Sequence, residues 1–322
     1  PRPCLPTTQR THPMLVNYLK IAWRALWRHR TTTAVNLVGL SVGLAVCFLV
    51  VLSLHQQWQI DRFHPDSDRI HSVSSRHVVA EDQWSATAPG PLGPALRTQA
   101  PGVRAVTQLA KEDETFVTRG EKSVMVDVLY ADSSFFDVFQ GFRLRAGTRA
   151  TALTTPGTAV LTTETARRLF GDADPVGQML SLRGEEPVTI TGVLSPPPGP
   201  THLAGDLVLS YEPLDTDDPE TTSWTTVDSD RWTYLRLGDG TRPAEVQRVA
   251  TDLLARNAPA EEDSEIEVRI RSLSDLRFGG TTLHPLSLRT QMPVYVFAFY
   301  LALAGLVLLA AGTGYGVWTG ML

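Results

Sequence analysis

Cysteine is nearly absent from this chain. Its 322 residues include two, Cys4 in a Pro/Thr-rich leader and Cys47 in an apolar span, and the long middle segment has none. That segment can neither use a disulfide nor form a wrong one, which suits an oxidising, extracytoplasmic compartment. Catalytic signatures are missing too. There is no G-x-x-x-x-G-K-[ST] phosphate loop, no H-E-x-x-H, no paired C-x-x-C, no G-x-S-x-G and no S-x-x-K. ATP hydrolysis by this chain in the usual way is therefore excluded, and no enzyme and no cofactor are expected. A basic stripe is also lacking beyond the first thirty residues. With a formal net charge of −5, this argues against a nucleic-acid partner.

Charge is absent altogether from Ala34–Leu54 and Val294–Ala311. About 20 apolar residues cross the ~30 Å hydrocarbon core of a bilayer, and each span is about that long. The first is too long for a signal-peptide core, and no A-x-A cleavage site follows it before His55, so it reads as an uncleaved anchor. Lys20, Arg24, Arg28 and Arg30 precede it, whereas charges of both signs follow it from Asp61 to Arg69. The positive-inside rule then puts the N-terminus in the cytoplasm and the middle segment outside, with the second span returning the chain.

Residues 15–28 have the pattern of an interfacial helix. Lys20, Arg24 and Arg28 share one face, Leu15, Leu19, Ala22 and Leu26 the other, and Trp23 and Trp27 suit the headgroup boundary. Two readings stay open: a cytoplasmic elbow docked on a partner or the membrane surface, or a topology signal with aromatic anchors. Gly39 and Gly43 form a G-x-x-x-G that would admit a second helix at close range.

Strand patterns dominate the middle. Residues 265–271 (EIEVRIR) alternate strictly, predicting a half-buried strand, and 122–130, 188–193 and 232–237 read as further strands. Among two or three helices, Thr163–Phe170 is the clearest. Thr162 or Thr163 caps it, Glu164 and Arg167/Arg168 suit its two ends, and Gly171 stops it. A second helix runs over 243–257 with Val246, Val249, Ala250, Leu253 and Leu254 inward. This mixture predicts an α+β extracytoplasmic domain. The SPPPGP stretch (195–200) reads as a stiff surface connection.

Candidate chemistry is sparse. His55, His64, His71 and His77 follow the first span at spacings that fit no common metal-ligand pattern, and their polar context predicts solvated side chains. Asp217–Asp218 and Glu261–Glu262 fall in turn-rich stretches with nothing to position them as acid and base. The GTGYG run at 312–316 is read as small residues ending a span, not as an ion filter. No catalytic, cofactor or metal residue is nominated.

Several segments nevertheless look familiar. NYLKIAWRALWRHRTTTAVNLVGLSVGLAVC (17–47), followed by DRFHPDSDRIHSV (61–73), resembles the opening of FtsX-like and MacB-like ABC transporter permeases. Tyr130–Phe139 (YADSSFFDVF) resembles the family's FFDVF segment. Val160–Gly177 (VLTTETARRLFGDADPVG) resembles its strand–helix–LFG..DP.G segment, and Thr191–Val193 with the prolines and His202 the next. The resemblance implies a MacB-like periplasmic core domain between the first two membrane helices of an inner-membrane permease. It also implies a separate ABC-type ATPase and a second permease subunit as partners, alongside the bilayer and a periplasmic partner.

The expected domains are a disordered leader or mis-start at 1–13, a cytoplasmic amphipathic helix at 14–32 and a first transmembrane helix at 33–54. The periplasmic domain follows at 55–292, then a second transmembrane helix at 293–314 and a truncated cytoplasmic end at 315–322. Such permeases usually carry a basic segment that couples to the ATPase after the second span, but no Lys or Arg follows Arg289. The expectation is an N-terminal portion of a longer permease, with a truncated product as the alternative. Export and FtsX-like regulation of a cell-wall hydrolase are equally compatible with the residues. A two-span extracytoplasmic sensor is the third reading.

Overall fold

The computed structural model describes residues 12–77, 84–184, 186–203, 205–210, 222–227, 231–258, 266–278, 282–283, 298–302 and 305. The chain divides into two units, one of residues Pro1–Leu54 with Tyr295–Leu322, the other His55–Val294.

In the first unit, α1 (His12–Arg28) gives way at His29 to α2 (Arg30–Gln59), whose last residues enter the second unit. Backbone bonds cross the junction, His29 N donating to Ala25 O (3.2 Å) and Thr33 N to His29 O (2.9 Å). Lys20, Arg24 and Arg28 are exposed on α1, as are Trp23 and Trp27 with ring centroids 6.3 Å apart. Within α2, Thr33–Gln56 is the one stretch among the described residues long and apolar enough to cross a membrane. Asn36 and Gly39 are half-buried and Gly43 and Val50 buried along it, a stripe at helical spacing. Of the second apolar span, 298–302 and 305 are helical, while the rest and the GTGYG run lie outside the described residues.

The second unit is built on one mixed sheet. Its strands are β1 (Ile70–His77), β2 (Trp84–Ser85), β3 (Val103–Arg119), β4 (Lys122–Ala131), β5 (Leu144–Gly147) and β6 (Thr158–Thr162). They continue with β7 (Met179–Leu182), β8 (Glu186–Leu194), β9 (Leu207–Ser210), β10 (Arg231–Leu237), β11 (Ile266–Ser272) and β12 (Thr282–Leu283). The order is β12-β2-β1-β10-β3-β4-β9-β6-β8-β5, with β11 on β1, and β7 bridging β3 and β8. The helices are α3 (Leu92–Gln99), α4 (Phe135–Val138), α5 (Thr163–Phe170), α6 (Pro243–Asn257) and α7 (Leu273–Phe278). The architecture is the α+β one expected.

β3 runs through the whole sheet. Its first half pairs with β10 and its second half with β4 and β7, across a bulge at Glu112–Thr115 where Glu114 takes φ 57°. Three cores form around the sheet. α3 and α6 cover one face with Leu92, Leu96, Val246 and Leu253 against Val73, Val106 and Leu235. α5 packs Ala166, Leu169 and Phe170 on Val126, Val128 and Leu161. Between these lies an aromatic-rich core of Phe135, Phe136, Phe139, Phe142, Trp232 and Tyr234. β10 divides two cores, its Trp232 and Tyr234 facing the aromatic one and its Leu235 and Leu237 the α3/α6 one. β4 likewise sends Val126 and Val128 to one side and Leu129 and Ala131 to the other.

Helix α5 spans the predicted residues, and Thr162 is its cap: Thr165 N donates to Thr162 Oγ1 at 3.2 Å. Helices α3 and α4 were not expected. α3 carries Gly93 and Pro94, residue types that interrupt a helical pattern, and α4 spans 4 residues. Replacing the cap, Thr162→Ala, is expected to cost about 1 kcal/mol. Thermal denaturation followed by circular dichroism should then show a fall in Tm of about 2–4 °C.

Candidate functional site

Directly after α2 the chain turns through Ile60 and Asp61, both buried. Asp61 adopts φ 58°, a left-handed conformation that a short polar side chain tolerates and that ends the helix. Its N–H donates to Pro200 O at 2.8 Å. Its Oδ1 accepts from Thr201 Oγ1 (2.7 Å) and from His202 N (3.3 Å), and Oδ2 lies 2.6 Å from His202 Nδ1. His202 Nε2 in turn lies 2.9 Å from the Tyr234 hydroxyl on β10. Asp61 is 1% exposed and Tyr234 0%. The end of α2 is thus tied to the middle of the sheet by an unbroken chain of hydrogen bonds.

Burial alone would raise the Asp61 pKa. The attraction and hydrogen bond of His202, with the hydrogen bond of Thr201, outweigh it and hold the carboxyl below its ordinary value. Tyr234 is pushed well above the usual phenol range, by burial first and then by the Asp61 charge. The phenol therefore stays protonated. It donates to Nε2 when the imidazole is neutral and accepts from it when the imidazole is charged. Asp, His and a hydroxyl in line have the elements of a nucleophilic triad, but a fully buried hydroxyl meets no substrate. The arrangement holds parts together; it does not attack.

An aromatic socket surrounds this knot. Phe139 meets Tyr234 edge-on at 5.2 Å and His64 at 5.4 Å, while Phe63 packs on Phe142 at 5.5 Å. The FFDVF segment supplies Phe135, Phe136 and Phe139 to it. Two residues on, Gly141 N donates to His64 Nδ1 at 3.0 Å. A Cβ at Gly141 would sit 2.6 Å from that nitrogen and 2.9 Å from Phe63 O, so only glycine fits there.

The expectation of four solvated histidines needs correction. His55 is exposed, 3.1 Å from Gln59 Nε2, and His77 is half-buried. His64 and His71, however, are 2% and 6% exposed. His64 is buried because the turn after α2 tucks under phenylalanines some seventy residues away in sequence, and His71 because β1 lies between β10 and β11. Burial lowers the His71 pKa, against the Arg69 carbonyl and Asp275. Among the described residues no group of three or more His, Cys, Asp or Glu is placed to hold a metal ion. Asp217–Asp218 and Glu261–Glu262 lie outside the described residues. Asp61 and Tyr234 were not singled out from sequence. His202 stood out only as part of a family segment, with no partner to indicate its role.

The other resembling segments also resolve into geometry. In LFG..DP.G, Gly171 takes φ 63°, Val176 N donates to Asp174 Oδ1 (3.0 Å) and Gly177 N to Ile190 O (2.8 Å). Prolines 196–198 are exposed, as a surface connection requires, yet its last residue supplies the carbonyl for Asp61.

Residues 33–253 match the family model described as the MacB-like periplasmic core domain. The chain belongs to that family. It is a membrane protein of the ABC-permease type with an extracytoplasmic domain, and the family's general partner is an ABC-type ATPase. The MacB-like core is a transporter component, not a classical enzyme.

Solved structures are also similar to this chain, and the first shares its fold. A permease-protein domain from Porphyromonas gingivalis superposes with a TM-score of 0.55 at 21% identity, covering 74% of this chain and 99% of that one. The extracellular domain of the ABC-type transporter YknZ from Gram-positive bacteria gives 0.43 at 17% identity, with 61% and 98% covered. The periplasmic region of MacB from Actinobacillus actinomycetemcomitans gives 0.43 at 15%, with 65% and 91% covered. No curated protein matches the sequence.

Asp61→Asn removes a buried charge and leaves His202 facing a neutral amide, an expected loss of about 3–5 kcal/mol at neutral pH. A carboxyl whose folded pKa is depressed contributes stability above its ordinary value of 3.8 and loses it as pH falls through the depressed one. In urea denaturation, the gap between wild type and Asp61→Asn should be full at pH ~7 and close as pH drops below about 4.

Proposed function

We propose that the chain is the N-terminal part of an inner-membrane permease subunit, and that the Asp61 knot links its first membrane helix to its outer domain. A separate ATPase would move the membrane helices, and the outer domain would convey that motion in export or in mechanical signalling. The observation that carries this reading is the end of α2. The helix does not run into a slack linker but into Asp61, whose N–H is held by the Pro200 carbonyl and whose buried carboxylate is held by Thr201 and His202. An isolated surface ion pair would yield under load, whereas breaking a buried pair strands a charge. Two permease subunits around an ATPase pair are part of the same reading. FtsX-like regulation of a cell-wall hydrolase uses the same architecture, and an export assay set against a hydrolase-activation assay separates the two. The two-span sensor is less well supported, because the family is one of permeases.

The test is hydrogen exchange on the complex. Affinity purification of the full permease should recover an ABC-type ATPase, and a non-hydrolysable nucleotide should change amide exchange at 199–203 and 231–237. Asp61→Ala with His202→Ala should retain the ATPase and lose that response. Recovery of no ATPase, or an unchanged response in the double variant, overturns the reading.

Orientation is tested by labelling in a variant with both cysteines replaced by serine. A membrane-impermeant maleimide should reach Asp172→Cys in intact spheroplasts, and Asn17→Cys only after lysis. The reverse pattern would invert the topology.

A further inference from the structure

A cavity of about 460 Å³ opens within the outer unit, where the aromatic core meets β4, β9 and the N-terminal end of α5. That volume is in the range of small-molecule sites. Its floor is apolar, with Leu129, Phe135, Phe142, Leu203 and Val208 all nearly inaccessible. Phe135 and Phe142 stack at 5.5 Å and 22°, which gives the floor a flat aromatic element. The mouth is acidic: Asp127, Glu164 and Asp206 line it, and among the described residues no Lys, Arg or His does.

These carboxylates differ in how far they are already satisfied. Asp127 accepts from Glu114 N at 3.2 Å and has Lys111 Nζ at 3.9 Å. Asp206 uses Oδ2 to accept from Asp127 N at 3.1 Å. Neither Asp206 nor Glu164 has an ion-pair partner among the described residues. Glu164 is exposed in the first turn of α5 and Asp206 is half-buried, and these two carboxylates, with no counter-cation at the edge of an apolar space, attract a cation. The aromatic floor adds to that preference through the negative face of its rings. A neutral ligand gains nothing from the two charges, and an anion is repelled by them.

We propose that this cavity is a binding site for a small organic cation with an apolar body: the ammonium lies between Glu164 and Asp206, and the hydrocarbon rests on Phe135 and Phe142. Thr201 lines the same cavity and donates to the Asp61 carboxylate at 2.7 Å. An occupant therefore touches one residue of the knot directly. This consequence rests on the coupling reading, but binding itself does not. Equilibrium binding requires no ATPase, so failure to bind and failure to couple are read separately.

The experiment uses the full chain in zwitterionic nanodiscs, with empty nanodiscs as reference, and a matched trio of probes titrated by calorimetry. These are 4-phenylbutylamine, 4-phenylbutan-1-ol and 4-phenylbutyrate. The amine should bind saturably, at least about tenfold tighter than the alcohol, and the carboxylate should not bind. Glu164→Gln with Asp206→Asn should bring the amine down to the affinity of the alcohol and leave the alcohol unchanged. Pro197→Trp, at the exposed mouth, should weaken both. If the double variant does not fold by circular dichroism, Glu164→Gln alone should lower the amine's advantage. Equal binding of amine and alcohol, no saturable binding above empty nanodiscs, or an amine preference that survives these acid-to-amide variants overturns the assignment.

Discussion

The short hydrogen bond between the Asp61 carboxylate and His202 is the contact on which the rest of the outer unit depends. It brings together three pieces of chain with no sequence proximity: the turn after α2, the loop after the prolines, and β10 through Tyr234. Neither partner would be tolerated alone. A carboxylate at 1% exposure without a cation or hydrogen-bond donors would cost several kcal/mol. Each therefore constrains where the other lies, and the turn at Asp61 is held against the loop at 200–202 by the need to keep both satisfied.

Around this polar contact the aromatic core does the packing. Phe139 touches both histidine 64 and Tyr234, so the short FFDVF turn encloses the knot as well as filling space. Gly141 then allows the His64 turn to approach its backbone. An apolar sheath of this kind excludes water, and that exclusion is what strengthens the charged contacts inside. The cavity at the other side of Phe135 and Phe142 shares this sheath. The knot and the cavity are consequently neighbours in one core, joined through Thr201.

Legibility in the sequence followed the physics of each element. Helices α5 and α6 could be bounded because their caps and stops are local: Thr162 and Gly171 in one, Pro243 at the start of the other. Strand β11 was readable because one face is wet, with Glu267 and Arg269 exposed against buried Val268 and Ile270. Strand β1 was not. Its Ser72, Ser74 and Ser75 are buried, and small polar residues inside the sheet carry no hydrophobic period, Ser75 Oγ alone of the three finding a partner among the described residues, Thr87 O at 2.7 Å. β3 was hidden by its charged bulge at 112–114, where the pattern breaks although the strand continues.

What the sequence determined by itself was the apolar span, the α+β character of the middle and, through several ordered segments, the family. These are properties of composition, short-range periodicity and local capping, all expressed within a turn or two of chain. Only the tertiary structure decided which polar residues matter. Asp61 sits among Asp66, Asp68 and Arg69 as one more charge after a membrane span, and His202 is 141 positions away from it. Their meeting depends on the path of the whole sheet, and burial, which turns an ordinary carboxylate into a structural pivot, is a property of that path.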